Sequence, residues 1–215
     1  MPVFFFFHYA KFVYVFLQHH LIVSMLDKAI SFLQNRIVTD QFNGEDPVPV
    51  VIGALFNEKG EPTLEKGLVG MMISNIEEER IFKTQLQKQR RVDNDVEVAN
   101  PEIKLNLFIL VAANPGNNAG FYDAALKRLS EVITYFQGTC VFDKTDYPDL
   151  DPIEYLIVEL HSLSFEQQNQ LWASLGGKYM PSVIYKVKLV VIDKGFMGDK
   201  QKAILEIDNN LHRKN

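Results

Sequence analysis

The chain has 215 residues, 47% hydrophobic and 23% charged, with a formal net charge of −5. That is enough apolar material to bury a sizeable core, and too apolar a composition for a disordered chain. The negative balance argues against nucleic acid or an anionic lipid surface as the main partner. The single cysteine, Cys140, excludes an intrachain disulfide and a zinc cluster built from thiolates, and it suits a reducing compartment during folding.

Residues 2–24, PVFFFFHYAKFVYVFLQHHLIVS, carry Lys11 as their only fixed charge. Three readings compete. A membrane segment approaches the ~20 residues required, but Lys11 near its middle and three histidines count against it. A signal peptide lacks its basic start and small-residue cleavage site. The third reading starts translation at Met25; otherwise 1–24 is an arm whose aromatic surface needs a lipid, partner or neighbouring subunit as cover.

From Leu26 to Ile37, apolar Leu26, Ala29, Ile30, Leu33 and Ile37 recur at helical spacing. A turn cluster at 43–47 precedes the short β run Val48 to Phe56, where Pro49 predicts a sheet edge. After the turn at 57–60, Leu64 to Ile76 holds a second strand, with Val69, Met71 and Ile73 on one face. It runs into Glu77, Glu78, Glu79 and Arg80. Three consecutive carboxylates invite a metal or acid/base reading, yet neighbours on a strand alternate faces instead of converging. The polar run 83–100 follows, with Lys88, Arg90 and Arg91 before Asp93, Asp95 and Glu97. Its few apolar anchors predict a long exposed loop, and a loop of that length in a compact domain often contacts something. The basic triplet suits an acidic neighbour.

Glu102 to Ala113 is a strand whose second face turns apolar midway, as in a central strand. The loop NPGNNAG, 114–120, joins it to a helix. Such loops bind phosphate in nucleotide folds, and a small-molecule enzyme would use this one. However, neither GxGxxG nor GK[ST] is present, which favours an ordinary turn. The helix 121–136 places Tyr122, Ala125, Leu126, Leu129, Ile133 and Phe136 on one stripe. Asp149 and Asp151 in the next loop read as turn residues rather than a calcium pair.

Glu154 to Ile192 parses as strand, helix, strand. Leu156, Val158 and Leu160 share one face of the first strand. Ser164 with Gln167 has capping-box spacing, and Gly176-Gly177 supplies a left-handed stop. Phe165, Leu171, Trp172 and Leu175 form the helix's apolar stripe. Pro181 restarts an extended segment alternating through Val183, Tyr185, Val187, Leu189 and Val191. His161 beside Ser162 and Ser164 lacks an orienting group and an oxyanion hole for a catalytic pair. In the polar tail, Ile204, Leu205, Ile207 and Leu211 suit a short helix or an added strand. The whole is an α+β (α/β-like) chain: a single mixed β-sheet with amphipathic helices packed on it. It divides into an extension 1–24, a domain 25–193 and a tail 194–215.

Several stretches resemble the cap, or tail-terminator-like, family of contractile injection systems. They are MLDKAISFLQNRI from Met25, SNIEEER at 74–80, NPEIKLNLFILVAAN into YDAALKRLSEVITYFQG, and FEQQNQLWASLGGKYMPSVIYKVKLVVI at 165–192. The resemblance implies a tail-terminator-like fold and a non-enzymatic subunit without cofactor, metal or catalytic residues. It implies a hexameric ring that caps the inner tube of a phage-tail-like particle and contacts the last sheath ring. Such a subunit would assemble in the bacterial cytoplasm and then become part of the particle, with tube and sheath proteins as partners and no nucleic acid. Glu77, Glu78, Glu79 and Arg80 would then serve subunit contacts, as would the 83–100 segment and the tail. A membrane-tethered adaptor, anchored by 1–24, is the alternative.

Overall fold

The computed structural model describes residues 25–44, 49–79, 88–92, 95–99, 103–191 and 196–202. They fall into two compact units. The first contains a six-stranded sheet in the order β1-β2-β5-β8-β7-β6. Its strands are β1 (Val50–Ile52), β2 (Val69–Glu78), β5 (Ile103–Ala113), β6 (Val141–Asp143), β7 (Ile153–His161) and β8 (Ser182–Val191). β1 pairs in parallel with β2, while β2/β5, β6/β7 and β7/β8 are antiparallel. The sheet is therefore mixed and the fold α+β. Three helices pack on it: α1 at 25–40, α2 (Ala119–Gly138) and α3 (Phe165–Leu175).

β5 shows why the sheet has helices on both sides. Leu107, Ile109, Val111 and Ala113 enter the main core with α1 and α2. Leu110 and Ala112 enter a second core under α3, with Leu55, Trp172, Met180 and Ile184. A strand apolar on both faces must be covered on both, so the midway change in its sequence is a topological instruction. Pro49 immediately precedes β1, which is an edge strand as expected.

α1 does more than cover a face. Its Gln34 Nε2 donates to the Val50 carbonyl on edge strand β1 (2.8 Å). Two residues earlier, Phe32 packs edge-on against Phe142 of the other edge strand, β6 (5.5 Å between ring centres, 83°), and against Tyr147 (5.6 Å). Lys28 Nζ donates to the Asp151 carbonyl in the loop leading to β7. One helix thus touches both ends of the strand order, so the sheet curls until both edges lie within its reach. Covering an edge in this way removes a template for unwanted strand pairing.

The last turn of α1 is anchored to α2. Arg36 pairs with Asp40 one turn on (2.7 Å), and the Tyr135 hydroxyl donates to Asp40 Oδ2 (2.9 Å). The Arg36 guanidinium also lies 5.0 Å from the centre of the Tyr147 ring. Burial first, and then the bond to Asp40, hold the Tyr135 proton well above the usual tyrosine range. Tyr185, in the same core, is pushed up to about 12 by burial, and its hydroxyl has no hydrogen-bond partner.

α3 follows its sequence signals closely. Ser164 Oγ accepts from the Gln167 N–H (3.2 Å), and Gln167 Oε1 accepts from the Ser164 N–H (2.9 Å), a complete capping box. Gly176 ends the helix at φ 69°. Gly177 is there for space: a Cβ would fall 2.2 Å from Phe56 Cζ, and Phe56 is packed edge-on against Trp172 (6.0 Å).

Three expectations are corrected. Residues 88–99 are a hairpin, β3 (Lys88–Val92) with β4 (Asp95–Ala99), where a loop was expected. β4 also pairs with β9 (Phe196–Lys202), forming a separate three-stranded sheet, β3-β4-β9, in the second unit. Val96 and Val98 alternate with Asp95 and Glu97 in β4, but β3 is almost wholly polar and β9 lies about a hundred positions away in sequence, so neither the pairing nor the sheet is marked locally. On α2 the buried stripe is Ala125, Leu129, Val132, Tyr135 and Phe136, which leaves Tyr122 and Leu126 in water. On α3, Phe165 matches Trp172 in helical phase yet is 92% exposed, because the first turn lies beyond the second core. The 204–211 segment lies outside the described residues.

Phe32→Ala, which opens a cavity between α1 and β6, is expected to lower unfolding stability by about 3–5 kcal/mol. Gly177→Ala, which overpacks Phe56, is expected to lower it by about 1–3 kcal/mol. Urea titration of the full chain measures both. Both folded tyrosines hold their protons above the unfolded value near 10, so stability is complete below about pH 10 and falls as pH rises through that range. Tyr185→Phe deletes an unpartnered buried hydroxyl and should be neutral or stabilising at pH 7 with a shallower alkaline decline. Tyr135→Phe should cost about 1.5–3 kcal/mol. Denaturation series at pH 7 and above pH 10 separate the two.

Candidate functional site

The carboxylate run sits at the end of β2. A bulge between Ile73 and Asn75 shifts the register, and the Ser74 hydroxyl at that point donates to the Phe108 carbonyl (2.9 Å). Beyond it Glu77 stands opposite Asn106 and Glu78 opposite Leu105, so the two acids leave opposite faces of the sheet. Glu77 accepts from Asn75 Nδ2 (3.1 Å) and Glu79 from Asn106 Nδ2 (3.2 Å). Glu77 and Glu79 thus lie beside the same Asn106, with Glu78 on the other face, so the three do not converge. Among the described residues no group of three or more His, Cys, Asp or Glu could hold a metal. Arg80 lies outside the described residues.

Lys88, Arg90 and Arg91 occupy β3. By register Lys88 lies opposite Ala99, Arg90 opposite Glu97 and Arg91 opposite Val96; this triplet belongs to the second unit and the acids on β2 to the first. The 83–100 segment and the tail, expected as two separate contact elements, share one sheet: β4 lies between β3 and β9.

The 114–120 loop uses its polar groups on itself. Asn114, buried, donates through Nδ2 to the Leu64 carbonyl (2.6 Å) and accepts from the Gly116 N–H (3.0 Å). Asn118 accepts from the Phe121 N–H (2.9 Å), capping α2 at the position where a phosphate would approach. Arg128 donates to the Gly67 carbonyl (2.8 Å), which fastens the preceding segment to α2. What remains is an open groove of 720 Å³ between 62–66 and this loop.

The other nominated polar residues are likewise occupied. Ser164 caps α3, and the His161 ring packs against Phe108 (5.2 Å). Asp151 pairs with Lys144. Trp172 is buried beneath α3. A second groove, of 700 Å³, runs between α3 and the sheet, with Glu77, Lys186, His161 and Gln170 among its walls. Among the described residues, no helix is long and apolar enough to cross a membrane; the 1–24 extension lies outside them. The surface features that sequence reasoning missed are the exposed Phe165, Tyr122 and Leu126. Periodicity placed all three in the core, and nothing local contradicts it.

Residues 20–206 match the model of the Pvc16 N-terminal domain family. No curated protein sequence matches the chain. Among solved structures, the sheath/tube terminator of PVC, an extracellular contractile injection system, in its extended state aligns with a TM-score of 0.53 at 12% identity, over 86% of this chain and 64% of that one. The tube-terminating cap of the anti-feeding prophage aligns at 0.45 and 12% identity, over 85% of this chain and 60% of that one. The chain therefore spans less than two thirds of the length of either structure.

Because β4 lies between β3 and β9, truncation after Val191 should leave an isolated two-stranded hairpin, which is marginal in water. Limited proteolysis of the truncated chain should cut within 80–103 markedly faster than in the full chain, while the main thermal transition persists. Equal cutting rates would show that β9 does not support the hairpin.

Proposed function

The chain belongs to the Pvc16 N-terminal domain family, and on that premise we propose that it is a structural subunit that terminates the inner tube of a contractile, phage-tail-like injection system. The observation that carries this reading is the family match over 20–206, nearly the whole chain. The similarity of fold to a sheath/tube terminator supports it. The protein acts by closing a ring of copies on the tube end, with six copies as the expected number, and by meeting the last sheath ring. A ring of this kind needs two different, complementary patches on each subunit. Glu77, Glu78 and Glu79 around the end of β2, Arg80 next in sequence, and the β3 residues Lys88, Arg90 and Arg91 are our assignment for contacts with neighbouring copies, tube or sheath. The reading is non-enzymatic. In its favour, Asn114, Asn118, Ser164 and Asp151, the polar groups nominated for chemistry, all serve local structure.

The test is the mass and negative-stain shape of the full chain, alone and mixed with its cognate tube protein. The expected result is a six-copy ring found at tube ends and absent along tube walls. A chain that stays monomeric in the presence of tubes, or that decorates their sides, would sink the proposal.

A further inference from the structure

Phe165 opens α3 with 92% of its surface in water, the most exposed large hydrophobic side chain among the described residues. A phenylalanine carries about 150–250 Å² of mostly apolar surface, and an aromatic side chain that fills a pocket on a partner is the kind of anchor that carries much of a contact's energy. This one is rigid: the Ser164–Gln167 capping box fixes the turn from which it projects. The next residue, Glu166, is exposed as well, so the tip of α3 presents one aromatic ring beside one anion.

The same unit carries a surface of the opposite kind. The 720 Å³ groove between 62–66 and the loop into α2 is lined by Pro62, Leu64, Asn117, Phe121 and Lys66, with Glu65 at its side. The Lys66 ammonium stands 5.8 Å from the centre of the Phe121 ring and donates to Asn117 Oδ1 (3.3 Å). Phe121 is itself 38% exposed. The groove therefore offers an aromatic wall beside one cation. Glu65 makes the register selective, because an acid displaced from Lys66 meets a carboxylate.

We propose that Phe165 and Glu166 of one copy dock in the Lys66–Phe121 groove of the next, ring against aromatic wall and carboxylate against ammonium. The two patches are different, so the contact can repeat head-to-tail from copy to copy, and it makes a ring where the rotation between copies closes. The inference rests on the ring reading above and gives it one specific interface.

The test uses the full chain with its cognate tubes and four variants: Phe165→Ala, Glu166→Lys, Lys66→Glu, and the double reversal Glu166→Lys/Lys66→Glu. All three positions are solvent-facing, so each variant should keep the parent's fold, with Glu166→Lys melting slightly lower because it puts a cation on the first turn of α3. Each single variant should raise the concentration for half-maximal ring assembly about tenfold or more, and the double reversal should recover most of that loss. Variants that assemble like the parent overturn the contact while leaving the ring reading intact. Normal rings from Phe165→Ala that no longer seat on tubes overturn it too, and place Phe165 against the tube. A parent chain that forms no ring removes the ring reading, and this contact with it.

Discussion

The structure depends on α1 reaching both edges of one sheet. Gln34 takes the outward carbonyl of Val50 on β1, and Phe32 packs on Phe142 of β6. Between these two contacts lie all six strands of the sheet. The sheet must bend for a helix of sixteen positions, 25–40, to meet both ends. That bend encloses the main core, where α2 packs beside α1. The Asp40–Tyr135 bond then fixes the two helices to each other. Removing the apolar face of α1 would free two edges as well as one face, so a single helix carries both cohesion and protection from strand pairing.

That arrangement also decides where contact surfaces remain. The edges are short, at three residues each, and α1 sits against both. Exposed aromatic surface lies instead at a helix tip and a groove of the first unit. The tip of α3 and the groove before α2 are such features, and each couples an aromatic ring to one charge. In a heterologous assembly the charge sets register and the ring supplies buried area. The second unit brings chain segments 88–99 and 196–202 into one sheet, so contacts assigned to either segment belong to one element.

The grooves look at first like ligand sites, but their polar groups are largely committed. Asn114 and Asn118 hold the loop and cap α2, and Lys66 leans on Phe121 and Asn117. A catalytic site needs groups held in readiness for a substrate. Here the same groups hold the backbone in place.

Much of this fold was legible in the residues. The capping box at Ser164, the left-handed Gly176, the two-faced apolar run of β5 and the edge signal of Pro49 are local rules, satisfied within one turn or one strand, and the family resemblance runs through the same segments. The mispredicted features share one cause: each depends on a second surface that the segment itself does not contain. Lys88–Val92 is a strand because β4 pairs with it, and β4 is held on its other side by β9. Phe165 has the phase of a core residue, but the second core ends before it. Tyr122 and Leu126 are exposed while Val132 and Tyr135 are buried, a roll of α2 that goes with the bond from Tyr135 to Asp40, ninety-five positions before it. The sequence by itself determined most of the elements, the caps of α3 and the family resemblance. Tertiary structure alone decided which faces were covered and which polar strands paired, because burial and pairing are properties of two surfaces and the local chain specifies only one.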